Sequence, residues 1–316
     1  MPDPIPSAPT ILCLGAMLWD VIGHSSVALT TGEDVAGRIR QRPGGVALNV
    51  ALALARLGHS PAMLSAVARD APGQALVAHC AGLGVQTRWL YRDGPLPTDL
   101  YLAIESPGGL VAAIADIHGL EAAGPAVLAP LRDGRLGDAA RPFTGTLVID
   151  GNLTPPVLAR IADDPCLAAA QLRLVPASPD KARRLTPLLT LPRAIFHLNR
   201  AEAEALADRP LADAATAALA LLDLGAARVI VTDGPRAVAD AQNGAQTGMA
   251  LVQMQPPPVN ARHVTGAGDA FLAAHLAAEL AGADRKAALT AALAAAAAHI
   301  SSPPIAPETA SRKDIA

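Results

Sequence analysis

His263-Val264-Thr265-Gly266-Ala267-Gly268-Asp269-Ala270-Phe271, followed by an alanine-rich helical stretch, is the segment on which the reading of this chain turns. Gly266, Ala267 and Gly268 are small, so their backbone N–H groups stay bare where a helix begins. A helix N-terminus carries unsatisfied donors and a partial positive charge, and such a turn can hold phosphate oxygens. Asp269 sits in the same turn, where the dipole favours an acid and the carboxylate can reach a bound hydroxyl. A phosphate cradle with a carboxylate base inside it suggests phosphoryl transfer to an alcohol. The competing reading is an ordinary glycine loop with an acid in the first helical turn, because short glycine motifs recur by chance.

A second glycine site lies far upstream, at Arg42-Pro43-Gly44-Gly45-Val46-Ala47-Leu48-Asn49. Adjacent glycines before a helix permit close backbone approach, and Asn49 offers a donor and an acceptor one turn in, a combination that suits sugar hydroxyls. A tight turn with a helix-facing Asn is the plainer alternative. No GxxxxGK[ST] sequence and no protein-kinase signature occurs, so any phosphate is handled on another scaffold.

Between the two sites the chain alternates strands and helices. Ile11 to Gly15 is a short apolar run ending in glycine and reads as a buried first strand, with Asp20 just beyond it. Ligands in open α/β sheets collect beyond the carboxyl ends of strands, which makes Asp20 a candidate substrate contact. Residues 45–57 carry Val46, Val50, Leu54 and Leu57 at helical spacing and stop at Gly58. Residues 61–67 read as a strand and 71–83 as a helix. Residues 101–105 and 110–116 read as a hairpin about Ser106-Pro107-Gly108-Gly109, and 21–43 add strands to this small sheet. Strands over 146–150, 172–175, 194–198 and 228–232 alternate with helices such as 201–207 and 211–224, which argues for a parallel sheet covered on both faces. A last strand spans 247–254, three prolines at 256–258 enforce an extended loop, and a loosely ordered tail begins at Ser301.

At 316 residues the chain can bury a full core. A net charge of −3 with 17% charged residues leaves no electrostatic footprint for nucleic acid. Cys13, Cys80 and Cys166 have neither metal-type nor redox-type spacing and read as reduced thiols of a cytoplasmic protein. The N-terminus lacks a basic region ahead of its apolar run, so no signal peptide is expected, and the alanine-rich stretch 287–298 is too short to span a membrane.

Taken together, the motifs resemble the ribokinase-like (PfkB) family of carbohydrate kinases. The likeness rests on Gly44-Gly45 with Asn49, Ala55-Arg56-Leu57-Gly58, Asp70-x-x-Gly73, Asp150-Gly151-Asn152, Asn199-x-x-Glu202, Thr232-Asp233-Gly234 and Thr265 to Asp269, and it covers residues 10–300. It implies a three-layer α/β/α fold with a mostly parallel central sheet. The chain would form a single domain over residues 1–316, with a discontinuous β lid from about 21–43 and 97–117. It also implies that Asp269 is the general base and that Gly266, Ala267 and Gly268 form the anion hole. Asp20, Gly44, Gly45 and Asn49 would bind the sugar. Asn199, Thr232, Gly234 and Thr265, with Gly266 and Gly268, would lie at the nucleotide, and Glu202 would organise Mg²⁺ through water. Asn199 and Glu202 also fit a capping box, and the two roles are compatible. ATP and Mg²⁺ are the implied cofactors, activation by a monovalent cation is left open, and a homodimer through the lid is the implied assembly.

Within the family the chain most resembles the pseudouridine kinases, through Val264-Thr265 ahead of Gly266, Pro97-Thr98 before the hairpin, Ala115-Asp116 at its end, and Asp150 to Leu153. That likeness implies transfer to the ribose 5′-hydroxyl of a nucleoside and adds Thr98 and Asp116 to the substrate contacts. Leu48 and His263 depart from the pattern, where Arg and Asn are usual. The alternatives are another acceptor (ribose, adenosine or inosine, a ketohexose) or a non-catalytic nucleoside-binding protein on the same scaffold.

Overall fold

Leu12 and Leu14 face one side of the first strand and Ile11 and Cys13 the other, and all four are buried. A strand covered on both faces cannot alternate apolar with polar residues, which is why this segment reads as a continuous apolar run. The computed structural model describes residues 9–244, 248–260 and 264–302, so His263 and the tail beyond Ser302 lie outside the described residues.

In chain order the elements are β1 (Ile11–Leu14), β2 (Leu18–Ser25), β3 (Gly37–Gly44), α1 (Val46–Arg56), β4 (Ala62–Leu64), α2 (Ala71–Gly82), β5 (Leu100–Ser106), β6 (Gly109–Asp116) and α3 (His118–Ala123). They continue with β7 (Thr146–Asp150), α4 (Pro155–Ala162), β8 (Gln171–Val175), α5 (Pro179–Ala182), β9 (Ala194–Asn199), α6 (Arg200–Ala207) and α7 (Ala214–Asp223). The last are β10 (Arg228–Asp233), β11 (Arg236–Gly244), β12 (Gly248–Met254), α8 (Ala267–Leu280) and α9 (Arg285–Ser301).

The main sheet runs β12-β11-β10-β9-β8-β7-β1-β4 and is parallel from β10 to β4. Apolar residues of α3 to α7 pack on one face, and those of α1, α2 and α8 on the other. α9 lies beside α8, with Leu289 and Leu293 packed against Phe271, Ile230 and Val238. The architecture is therefore three-layered, with a mostly parallel sheet in the middle.

Sequence reading missed β11, which is antiparallel to both neighbours. Its central Asp240 is fully buried but paired with Arg228 and Arg285, so the strand lacks the apolar run that marks its neighbours.

A second, smaller sheet, ordered β3-β2-β5-β6, takes the place where the sequence leads one to expect the lid. It begins at Leu18 rather than near residue 21 and ends at Gly44. Asp20 therefore belongs to a lid strand instead of the loop after β1. Opposed residues on paired strands share a face, so register sorts the lid: Asp20, Arg42 and Tyr101 lie on one side, and Trp19, Pro43, Leu100 and Asp116 on the other.

Candidate active site

The carboxyl ends of β1 and β7 meet the start of α1 at one buried carboxylate. Asp150, the last residue of β7, accepts hydrogen bonds from the amides of Ala16 (2.9 Å), Ala47 (3.1 Å) and Asn152 (2.9 Å). Burial raises its pKa, and these donors oppose the shift. A Cβ at Gly15 would fall 2.2 Å from the Asp150 carboxyl carbon, so glycine ends β1 because the carboxylate needs the space. Asp150 thus clamps the turn from Gly44 into α1 against the end of β1.

Gly45 precedes α1 with φ +100, and a Cβ there would lie 2.4 Å from the carbonyl oxygen of Ala16. A Cβ on Gly44 would come within 2.2 Å of Asp20 Oδ1, which shows how closely the lid carboxylate lies against the turn. Asp20 is largely buried and accepts from Arg42 Nε at 3.3 Å. Burial raises its pKa, and Arg42 partly counters this. One turn into α1, Asn49 donates from Nδ2 to Asp269 Oδ2 at 2.9 Å, joining two motifs 220 residues apart.

Asp269 lies in the first turn of α8. Burial is the main cause that lifts its carboxyl from 3.8 to about 7; the Asn49 bond lowers it, and the charges of Asp150, Glu202 and Asp20 raise it further. A carboxylate near neutrality is matched to taking a proton from an alcohol. Gly266 adopts the left-handed conformation, φ +85, at the N-cap. A Cβ on Gly268 would meet nothing within 4 Å, so the start of the helix faces open space. The amide of Ala267 donates to the carbonyl of Val264 at 3.1 Å, whereas those of Gly268 and Asp269 have no acceptor among the described residues. Together these features make a short, exposed set of donors beside a carboxylate of raised pKa.

Asn199 and Glu202 form a complete capping box at α6: the Glu202 amide donates to Asn199 Oδ1 at 2.9 Å, and the Asn199 amide to Glu202 Oε2 at 2.8 Å. Glu202 is buried, and burial raises its pKa. Thr232, next to last in β10, places its hydroxyl 3.4 Å from the carbonyl of Leu198, and Gly234 turns the chain at φ +59.

Two further sequence-read substrate contacts pair with neighbouring side chains. The Thr98 hydroxyl is buried and donates to Asp70 Oδ1 at 2.5 Å, while its amide donates to Asp70 Oδ2. Asp70 is also the N-cap of α2, so Thr98 ties the lid root to that helix. Asp116 lies on the lid face opposite Asp20 and pairs with His118 Nδ1 at 2.7 Å, which holds its carboxyl below the usual range. Conversely, sequence reading assigned nothing to Tyr101, which shares the face of Asp20 and feels its charge; burial is the main cause that raises the pKa of its phenol. Strict alternation along 100–106, read against Asp20, carries that signal.

The model of the pfkB family of carbohydrate kinases matches residues 8–124 and 146–307. The chain belongs to this family. As a pfkB-family sugar or nucleoside kinase it is a phosphotransferase that acts on a hydroxyl group. It is 28% identical over 267 residues to the pseudouridine kinase of Escherichia coli, covering 83% of this chain and 81% of that one. A carbohydrate kinase from Agrobacterium tumefaciens superposes with a TM-score of 0.74 at 29% identity, covering 93% of this chain and 91% of the other. The ribokinase of Arabidopsis thaliana, complexed with ribose and ATP, shares the fold at 20% identity, with a TM-score of 0.74 and 94% of each chain covered.

Proposed function

We propose that this pfkB kinase transfers the terminal phosphoryl of ATP to the ribose 5′-hydroxyl of a nucleoside, with pseudouridine as the first candidate. The observation that carries the chemistry is the 2.9 Å bond from Asn49 to Asp269, which sets the acceptor turn against the base of the phosphate turn. The choice of pseudouridine rests on the likeness to the Escherichia coli enzyme over 83% of the chain.

In this reading Asp20, Gly44, Gly45 and Asn49 hold the sugar hydroxyls. Asp269 takes the proton of the attacking hydroxyl at one carboxylate oxygen while Asn49 steadies the other. Gly266, Ala267 and Gly268 present amides to the transferring phosphoryl, where catalysis is mainly positioning and charge stabilisation. The Ala267 amide must then leave the carbonyl of Val264 or be shared with it. Asn199, Thr232, Gly234 and Thr265 line the nucleotide side. Mg²⁺ fits as an ion that arrives with the nucleotide phosphates: among the described residues no three His, Cys, Asp or Glu side chains are grouped to hold one, and buried Glu202 is suited to anchor its water. Such an ion would neutralise phosphate charge. The lid closes over the nucleoside and excludes water.

The outer lid face carries Ile39, Leu100, Leu102, Ile104 and Ile114, all exposed. An apolar sheet face of this size suits a second copy of the lid, which supports a homodimer. Three free, buried cysteines suit a cytoplasmic protein, and no helix among the described residues is long and apolar enough to cross a membrane.

The test is a panel of pseudouridine, uridine, adenosine, inosine, ribose and fructose with ATP and Mg²⁺, the products being located by phosphorus NMR. The expected outcome is fastest turnover of pseudouridine to its 5′-phosphate. Rapid turnover of ribose without pseudouridine would move the protein to a sugar kinase, and binding without turnover of any member would favour the non-catalytic reading.

A further inference from the structure

The Thr265–Gly266 turn is also held from the side of α9. His299, in the last turn of α9, lies with Nε2 2.9 Å from the carbonyl oxygen of Thr265. A carbonyl only accepts, so this ring nitrogen carries a proton and donates. Among the described residues there are no cis peptide bonds, and in a planar trans unit the N–H points opposite to the C=O. Fixing the Thr265 carbonyl on His299 therefore aims the Gly266 amide away from α9, toward the other side of the turn. Donation to the carbonyl also polarises the peptide unit and strengthens its N–H as a donor. The ring lies directly against the turn, since a Cβ on Gly266 would stand 3.0 Å from His299 Nε2 and 3.3 Å from Cε1. α9 is a firm support: it runs for 17 residues and packs Leu289 and Leu293 against Phe271 of α8.

We propose that His299 is a positioning residue for phosphoryl transfer, which orients the Thr265–Gly266 peptide so that the Gly266 amide faces the transferring group. It acts through Thr265 and touches neither substrate. The inference rests on phosphoryl transfer at this cradle and is independent of which acceptor is used.

The experiment compares His299→Ala, His299→Phe and His299→Gln with the native protein in kcat, acceptor KM, melting temperature, and affinity for ADP with aluminium fluoride and Mg²⁺. The Ala and Phe variants should lose roughly tenfold or more in kcat, the scale of a disturbed oxyanion donor, with acceptor KM within about twofold. Affinity for the fluoride mimic should fall in step, and His299→Gln, which restores an N–H donor, should recover most of both. The proposal is overturned if all three variants match the native protein in kcat and mimic affinity. It is equally overturned if Gln does no better than Phe, or if the loss follows a lowered melting temperature that Gln leaves uncorrected. A native protein that phosphorylates nothing on the panel would sink the acceptor assignment, and one that also fails to bind the fluoride mimic would sink phosphoryl transfer and this proposal with it. Binding of the fluoride mimic needs no acceptor and still decides the role of His299.

Discussion

Gly45 caps α1 and Gly268 lies in the first turn of α8, the two helices that meet at the Asn49–Asp269 bond, and their surroundings are opposite. A Cβ at Gly45 would press on the Ala16 carbonyl at 2.4 Å, whereas a Cβ at Gly268 would meet nothing within 4 Å. The acceptor turn is closed by the protein itself, through Asp150 beneath it and Asp20 above it. The phosphate turn offers its amides to open space. A hydroxyl acceptor needs side-chain donors and acceptors held in one geometry, and this requires packing. In the proposed reading a phosphoryl group needs only bare amides and room, so the glycine there would serve the ligand rather than the fold.

The largest effect should come from the carboxylate between the turns. Asp269→Asn is expected to lower kcat by roughly 10²–10⁴-fold, the usual contribution of a general base, with acceptor KM nearly unchanged in steady-state kinetics. Next, Asp150→Asn replaces one of the two oxygens that accept from three amides by an NH2 donor and should cost about 3 kcal/mol in urea unfolding, with a raised acceptor KM. The glycines test the contrast itself. Gly45→Ala should cost about 1–3 kcal/mol, because it combines a steric clash with a positive φ. Gly268→Ala should leave stability within about 0.5 kcal/mol yet lower kcat or raise the KM for ATP. Equal destabilisation by the two would erase the distinction between a closed and an open turn.

A further effect is in pH. The folded protein keeps the Asp269 proton up to about pH 7, while the unfolded chain releases it near 3.8. A group whose folded pKa is raised contributes stability below its unfolded pKa, and that contribution is lost as pH rises through the folded value. The melting temperature of Asp269→Asn relative to native protein should therefore climb between pH 4 and pH 8. Over the upper part of that range the native kcat should rise as the base ionises. A flat difference would mean that the carboxylate is not held near neutrality.

Much of this arrangement is legible in the chain. Ile11 to Leu14, the helical spacing of residues 46–56 and the hairpin about Pro107-Gly108 depend on neighbours within a turn or two, and all appear in the structure where their patterns suggest. Arg173 shows where such patterns stop. It lies within an apolar-looking strand and is buried, because Glu279 of α8 meets it at 2.7 Å and also binds Arg228. Nothing local marks that pairing. Thr98 likewise reads as an open hydroxyl before the lid, and only its packing on α2 reveals that Asp70 has taken it.

By itself the sequence determined the layered α/β architecture, the two glycine turns and the class of chemistry, since periodicity, glycine conformation and helix capping are set by short stretches of chain. The tertiary structure alone decided which carboxylate lies under the acceptor turn, which lid face carries Asp20, and that His299 reaches Thr265. Those contacts span from 34 to more than 100 residues, and their geometry is fixed by strand register and helix packing rather than by any local preference.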